Sequence, residues 1–437
     1  MVMDQPRSPL PIIALACPPQ QHVWRLPGSK SMTNRALIIA ALADGRSRLI
    51  GPLLSDDTRH MAEALTDLGI VVNRDDPDCW LVEGGIRHLR PPGRPIAVGN
   101  SGTTVRFLAA LAALVDGPVD LVGDEHMARR PIADLVDALT QLGISVDCPS
   151  GCPPLRVTGC GRLPGGTVHI DATRSSQYIS ALLLVAGAAE APLHIHTSGR
   201  QVSRPYITMT AAMITAAGGQ ADCDGQGCHA LPAPYRAGPM AIEPDASAAS
   251  YAWAAAVATG GSVRVPGFAA DQGRPASLQG DLAFLDILER IGAVITVDDG
   301  GICVSGDGPR RGVEVDMHDI SDTVMTLAAL APLLEGPTTI RNVANIRLKE
   351  TDRLAALVTE LRRLGQEVDH GDDWIRIDPR PLTPALVECY SDHRMAMAFA
   401  ILGLARPGVT IADPACTAKT YPGFWNDLDS LSKAAHS

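Results

Sequence analysis

Leu26-Pro27-Gly28-Ser29-Lys30-Ser31-Met32-Thr33-Asn34-Arg35, followed by the apolar run from Ala36 to Ala43, is the template on which the rest of the chain repeats. Pro27-Gly28 breaks whatever precedes it, a Ser29 or Ser31 hydroxyl can cap a helix, and Ala36, Leu37, Ile39, Ala40 and Ala43 recur at helical spacing. The stretch predicts a helix with a bare N-terminus. Such an end presents unpaired N–H groups and roughly half a positive charge. Lys30 and Arg35 add two full charges that oppose the helix dipole, which makes sense if an anion sits there.

Polar clusters containing a serine open Ala/Leu-rich helices again at Ser101, Ser175, Ser247, Ser321 and Ser391, so that the six starts lie 70, 74, 72, 74 and 70 residues apart. Each helix, as in Arg106 to Leu114, Tyr178 to Val185, Ala249 to Val257 and Val324 to Leu334, runs into a breaker and then an alternating strand such as Val119 to Val122 or Thr338 to Arg341. A second, more charged helix follows and stops at Gly69, Gly143, Gly218, Gly292 or Gly365, leading into further strand. Six copies of a helix-strand-helix-strand-strand unit predict an α/β fold of two similar domains with three units each. The Gly- and Pro-rich tail from Gly225 to Pro239 is the natural crossing point, which gives domains of residues 27–242 and of residues 1–26 plus 243–437.

The first helix of each copy carries little charge along its body and is expected to be buried, with the charged second helices outside. Three parallel buried helices with their N-termini at one face pool their dipoles. Two such faces opposed across an interdomain cleft would hold a polyanion.

Composition narrows the partners. The formal net charge of −11 argues against general nucleic-acid or acidic-membrane binding, so an anionic ligand needs a local cluster of cations. Only Lys30, Lys349, Lys419 and Lys433 are lysines among 37 basic residues, and the first three fall inside motifs. A compact ammonium is a different tool from a planar guanidinium, so these three read as chemically chosen. Ten cysteines lie without a CxxC pair or zinc-ligand spacing, which predicts reduced or buried cytosolic thiols. The apolar stretch from Pro9 to Pro18 is too short, and too broken by Pro11, for a signal peptide or membrane span. The expected setting is cytoplasmic.

The polar motifs sit at the helix starts. Asn100-Ser101-Gly102-Thr103-Thr104-Val105-Arg106 offers hydroxyl donors and a glycine that permits close backbone approach. Arg129-Arg130-Pro131 places two guanidiniums at the start of an outer helix, and Arg174-Ser175-Ser176-Gln177-Tyr178 and Ser203-Arg204-Pro205-Tyr206 add neutral donors suited to phosphate oxygens and sugar-like hydroxyls. The later half carries the ionisable groups: Asp319-Ile320-Ser321-Asp322, the run Asn345 to Arg353 with five charges in its last seven residues, and Ser391-Asp392-His393-Arg394.

This ordered set, with Cys416-Thr417-Ala418-Lys419-Thr420, closely resembles the 5-enolpyruvylshikimate-3-phosphate synthase (3-phosphoshikimate 1-carboxyvinyltransferase) branch of the enolpyruvyl transferase family, from about residue 22 to residue 428. The resemblance implies a pair of inside-out α/β barrels, a reaction between shikimate 3-phosphate and phosphoenolpyruvate, and no metal or organic cofactor; no nucleic-acid or membrane partner is expected, and the chain is expected to be a monomer. It implies that Lys30, Ser31, Arg35, Ser175, Ser176, Ser203, Asn345 and Lys349 hold shikimate 3-phosphate. Gln177 would touch both substrates. Gly102, Arg130, Arg353, Arg394 and Lys419 would face phosphoenolpyruvate, with Asn100 also at the site. Asp322 is the expected base and Glu350 the expected proton donor, with Lys30 and His393 sharing proton traffic.

Cations around both carboxylates lower a carboxylate pKa, which suits a base better than an acid. Gly102 leaves room in the phosphoenolpyruvate pocket and implies inhibition by glyphosate. The chain departs from the family pattern at Phe107, where many relatives have Pro, at Ser101, which replaces a common Ala, and in the loop Glu125 to Ala128. The alternatives are the sister enzyme acting on UDP-N-acetylglucosamine and a non-catalytic phosphometabolite-binding protein. The first lacks its Lys-Asn opening and reactive loop cysteine here, and the second should have lost one of Lys30, Asp322, Glu350 or Lys419.

Overall fold

The computed structural model describes residues 8–271 and 274–434. Residues 1–7 and 435–437, the two ends of the expected discontinuous domain, lie outside the described residues. The chain divides into two compact units, Gly28–Glu243 and the pair of segments Met1–Pro27 and Pro244–Ser437.

In the unit Gly28–Glu243, six helices alternate between inner and outer positions: α1 (Lys30–Leu42), α2 (Asp56–Asp67), α3 (Gly102–Leu111), α4 (Ala133–Gln141), α5 (Ser176–Ala186) and α6 (Arg204–Ala216). Helices α1, α3 and α5 are apolar beyond their first turns and buried on every side along nearly their whole length, and they contact one another at the centre of the unit. Helices α2 and α4 bury one face only. Gly69, just after α2, has a positive φ of 102°, the conformation that lets the chain turn straight out of the helix.

Three four-stranded sheets wrap the inner helices. In each, a leading strand runs parallel to a central one, which pairs antiparallel with a third, and the fourth lies outside it. The second copy shows this as Ile96–Gly99, Asp116–Gly123, Leu155–Cys160 and Ser145–Asp147. The leading strand is absent from the unit read in the sequence. It is only three to six residues long in this half, too short for an alternating pattern to stand out. In the first copy it is Pro239–Ala241, parallel to Gly45–Ile50, so the end of the third repeat closes the ring onto the first.

The other unit repeats the plan with α7 (Ala246–Thr259), α8 (Phe284–Ile291), α9 (Val324–Leu330), α10 (Arg353–Arg363), α11 (His393–Ala405) and α12 (Phe424–Ala434). Helices α7, α9 and α11 pack together in its core. Here the N-terminal segment supplies the closing strands: His22–Val23 runs parallel to Ser262–Val265, and Leu10–Pro11 pairs antiparallel with Val409–Ile411. Trp24 is buried beside it and donates its indole N–H to the Tyr421 hydroxyl at 2.8 Å.

Three details differ from the sequence reading. Serine caps α1, α3 and α5, through Ser29, Ser101 and Ser175, but Asp245 and Asp392 cap α7 and α11. Ser247 lies inside α7 and donates to Asp281, while Ser391 has a left-handed φ of 55° and only leads the chain to its cap. The fifth copy opens as a short 3-10 turn, Ser321–Thr323, with no side-chain cap. The thiol expectation also needs correction: Cys223 and Cys228 are joined as a disulfide. The hairpin register places the two directly opposite each other on adjacent antiparallel strands, a proximity their spacing in the sequence does not reveal. Among the described residues no helix is long and apolar enough to cross a membrane.

Candidate functional site

Each unit holds its predicted polar residues at or near the starts of its inner and outer helices and in the short turns beside them, and the two groups differ in character. In Gly28–Glu243 the group is cationic and hydroxyl-rich. Lys30, at the first turn of α1, meets Asp57 of α2 at 3.2 Å. Arg35 lies one turn further in, only 2% exposed and held by Thr210, Ser180 and the carbonyls of Ser31 and Tyr206 at 2.7–3.2 Å. These contacts use four of its five N–H groups. Its guanidinium lies over the rings of Phe107 and Tyr206, at 5.3 and 5.8 Å, so the unusual Phe107 packs as a floor beneath it. Burial lowers the Arg35 pKa to about 10.

Arg130 donates to the backbone carbonyl and the side-chain oxygen of Asn100, at 3.0 and 3.2 Å. Gln177 bridges two helices: its oxygen accepts from Arg106 at 2.5 Å and its amide donates to Thr103 at 3.3 Å. Gly102 fits tightly between the two arginines. A Cβ there would come within 2.5 Å of Arg130 Nη2 and 2.9 Å of Arg106 Nη1. Ser175 caps α5, Ser176 is its first residue and buried, and Ser203 begins α6 from a left-handed φ of 51°.

The other unit concentrates opposite charges around one residue. Arg353, the first residue of α10 and 1% exposed, reaches three carboxylates: Asp392 at 2.6 Å, Glu350 at 2.8 Å and Asp322 at 3.3 Å. Burial works against its charge, but Asp392, Glu350 and Asp322 together outweigh that and hold its pKa above the usual arginine value. Asp322 also meets Arg394 at 2.8 Å and Lys349 at 3.6 Å, and Glu350 meets Lys419 at 2.7 Å. Burial lowers the Lys349 pKa, with Asp322 opposing the shift. Asn345 donates to Ser321 at 2.9 Å.

His393 is buried as the first residue of α11, its Nδ1 3.8 Å from Asp392. Arg394 contacts the Tyr251 hydroxyl at 3.5 Å, whose pKa burial raises to about 12, so the phenol stays neutral. Among the described residues no group of three or more His, Cys, Asp or Glu side chains is arranged to hold a metal ion.

Asp322, Lys349, Glu350, Arg353, Arg394 and Lys419 thus share one network, with His393 beside Asp392 and Asn345 bonded to Ser321 next to Asp322. Lys30, Ser31, Arg35, Asn100, Gly102, Arg130, Ser175, Ser176, Gln177 and Ser203 stand in the other unit. Sequence reasoning missed Asp57 as the partner of Lys30, and it quoted Asp392 and Arg106 without giving them a task. Asp57 sits in an acidic first turn, Ser55-Asp56-Asp57-Thr58, that looks like ordinary helix capping. Its near-complete burial is what sets it apart.

Residues 18–428 match the family model for EPSP synthase (3-phosphoshikimate 1-carboxyvinyltransferase). The chain is 44% identical over 418 residues to the 3-phosphoshikimate 1-carboxyvinyltransferase of Serratia proteamaculans (strain 568), covering 94% of this chain and 96% of that one. It is 43% identical over 421 residues to the protein of the same name from Proteus mirabilis (strain HI4320), with 94% and 96% covered.

Among solved structures it resembles EPSP synthase from Acinetobacter baumannii, with a TM-score of 0.81 at 22% identity over 97% of this chain and 98% of that one. It also resembles the enolpyruvyl transferase NikO from Streptomyces tendae, with a TM-score of 0.75 at 20% identity and 98% of both chains covered. At such identities the structural likeness speaks for the fold alone. Sequence identity and the full-length family match carry the remaining step: the chain belongs to the EPSP synthase (3-phosphoshikimate 1-carboxyvinyltransferase) family.

Proposed function

We propose that this chain transfers the enolpyruvyl group of phosphoenolpyruvate to the 5-hydroxyl of shikimate 3-phosphate and releases phosphate, a step of the shikimate pathway toward chorismate and the aromatic amino acids. The 5-hydroxyl oxygen adds to C2 of phosphoenolpyruvate while C3 gains a proton; phosphate then leaves C2 as C3 returns a proton, restoring the double bond. The chemistry asks for a base at the hydroxyl, an acid at C3 and cations that hold two phosphates and a carboxylate.

The observation that carries the reading is the paired arrangement of Asp322 and Glu350, both joined to Arg353 and each holding at least one further cation. A phosphate or carboxylate that binds Arg394 and Lys419 competes with these carboxylates for them. Substrate binding thereby releases Asp322 and Glu350 for proton transfer. In this reading Asp322 serves the 5-hydroxyl, Glu350 serves C3, and Lys30 and His393 share the proton traffic. Shikimate 3-phosphate is held by Lys30, Ser31, the remaining N–H of Arg35, Ser175, Ser176, Gln177, Ser203, Asn345 and Lys349. Phosphoenolpyruvate is held by Arg130, Arg394, Lys419 and the remaining N–H of Arg353 beside Gly102, with Asn100 steadying Arg130. The chain works as a monomer in the cytoplasm, without nucleic-acid or membrane partners, and is inhibited by glyphosate.

The test is phosphate release with both substrates present. Turnover is expected with shikimate 3-phosphate and phosphoenolpyruvate together. Turnover with UDP-N-acetylglucosamine in place of shikimate 3-phosphate, or with neither acceptor, overturns the assignment.

Two consequences are measurable. Gly102→Ala puts a methyl against the Arg130 guanidinium, which is buried and hydrogen-bonded to Asn100, so the arginine has to move. Shifting a charge-assisted contact of about 1.5–3 kcal/mol is expected to raise the KM for phosphoenolpyruvate about tenfold or more, with the fold intact by circular dichroism. The lowered pKa of Lys349 means that its ammonium is lost at a lower pH than that of an ordinary lysine, so affinity for shikimate 3-phosphate is present below that pH and falls as pH rises through it. In a pH profile, Lys349→Arg, which stays charged, is expected to flatten this alkaline rise in KM.

A further inference from the structure

The inner helices of the unit formed by Met1–Pro27 and Pro244–Ser437 also have a second end. There, against the C-termini of α7 and α11 and the 3-10 turn Ala331–Leu333 that extends α9, lies a cavity of about 460 Å³. The N-terminal segment roofs it, anchored where the Leu15 N–H donates to the Leu404 carbonyl at 2.8 Å. This is the size range of small-molecule sites, and it is lined by Arg310, Arg406 and Glu335 together with Leu15, Leu333 and Leu404.

The charges here are unlike those at the opposite end of the same helices. There every carboxylate meets a cation. Here each arginine makes one hydrogen bond to a helix-end carbonyl, Arg310 to Ala258 at 2.8 Å and Arg406 to Ala405 at 3.1 Å. Among the described residues neither forms an ion pair, and neither does Glu335. Burial lowers the Arg310 pKa, and the nearby Arg406 lowers it further, so the two guanidiniums repel across the cavity wall. Capping a helix C-terminus accounts for one cation at each end. It does not account for the convergence of both arginines on one cavity, with the Glu335 carboxylate lining the same space and paired with neither.

We propose that this cavity binds a small zwitterion of the α-amino-acid type with an apolar side chain. The ligand carboxylate takes the N–H groups that Arg310 and Arg406 leave unused. Its ammonium goes to Glu335 and to the helix C-termini, which together carry negative partial charge. The half-buried Leu15 and Leu333 flank the side chain. The site lies at the opposite end of α7 and α11 from the Arg353 network and does not depend on the reaction proposed above.

L-leucine and L-phenylalanine serve as probes in saturation-transfer NMR with the full chain. Isocaproate, which is leucine without its amine, and isopentylamine, which is leucine without its carboxylate, are the controls. The expected result is saturable binding of at least one amino acid below about 10 mM, not displaced by shikimate 3-phosphate, with both controls weaker. Arg406→Gln and Glu335→Gln both change exposed side chains outside the reaction machinery. Arg406→Gln is expected to weaken the amino acid about tenfold, whereas Glu335→Gln weakens it toward the level of isocaproate and leaves isocaproate itself unchanged. Failure of both amino acids to saturate, isocaproate binding as tightly as leucine, or binding unchanged in both variants overturns the proposal.

Discussion

Glu350→Gln and Asp322→Asn are each expected to leave a folded chain whose kcat is lower by about 10²–10⁴-fold, the range of a lost general acid or base. Both changes keep the shape of the side chain and an oxygen that can accept from Arg353, while Asp392 stays in place as its closest partner at 2.6 Å. The fold is therefore protected from the change that disables proton transfer. The KM values separate this reading from a simple loss of binding. Glu350 holds Lys419 at 2.7 Å and Asp322 holds Arg394 at 2.8 Å, so neutralising either carboxylate removes a competitor of the substrate anion. Phosphoenolpyruvate KM is expected to stay level or fall as kcat collapses. A near-normal kcat in either variant removes that residue from the mechanism.

The second large effect is on stability. Asp392 and Arg353 are 0% and 1% exposed and form a two-point contact, with oxygens at 2.6 and 3.2 Å from the guanidinium. The same aspartate caps α11 by accepting from the Arg394 N–H at 2.9 Å. Asp392→Ala takes away the cap and strips a buried guanidinium of its nearest counter-charge. Breaking one side of a buried pair costs about 3–5 kcal/mol, and a lost cap about 1 kcal/mol more. A fall in Tm on the order of 10 °C is expected by calorimetry. Asp392→Asn keeps the cap and the shape of the group, and is expected to fall between the two. Equal Tm values for Asp392→Ala and the unaltered chain would refute the view that Arg353 depends on Asp392.

Much of the architecture was legible because helical periodicity and terminating glycines are local signals. The inner helices α1, α3 and α5 begin within a residue or two of the serines that announce them, since a serine cap acts on its own helix. In α7 and α11 the cap passed to an aspartate next to or near the expected serine, because either oxygen can accept the free N–H and the backbone angles decide which one does. The leading strands escaped notice for the opposite reason. A segment such as His22–Val23 is a strand only because Ser262–Val265 lies beside it, more than two hundred residues along the chain.

The site divides in the same way. Arg353, Glu350 and Lys349 were visible as a dense charge run, and the run alone reads as a solvated face. Only packing shows that Arg353 is buried and bound to carboxylates from three separate segments, or that Arg35 has most of its donors committed inside the protein. Asp57 beside Lys30, the Cys223–Cys228 disulfide, and the unpaired charges of Arg310, Arg406 and Glu335 around one cavity belong to the same class.

The sequence by itself determined the sixfold repeat, the inner and outer helices and the order of the motifs, all of which follow from residues within a few positions of one another. The tertiary structure alone decided which charge meets which. An ion pair depends on distance in space and on the exclusion of water, and neither is encoded in the spacing of two residues along a chain.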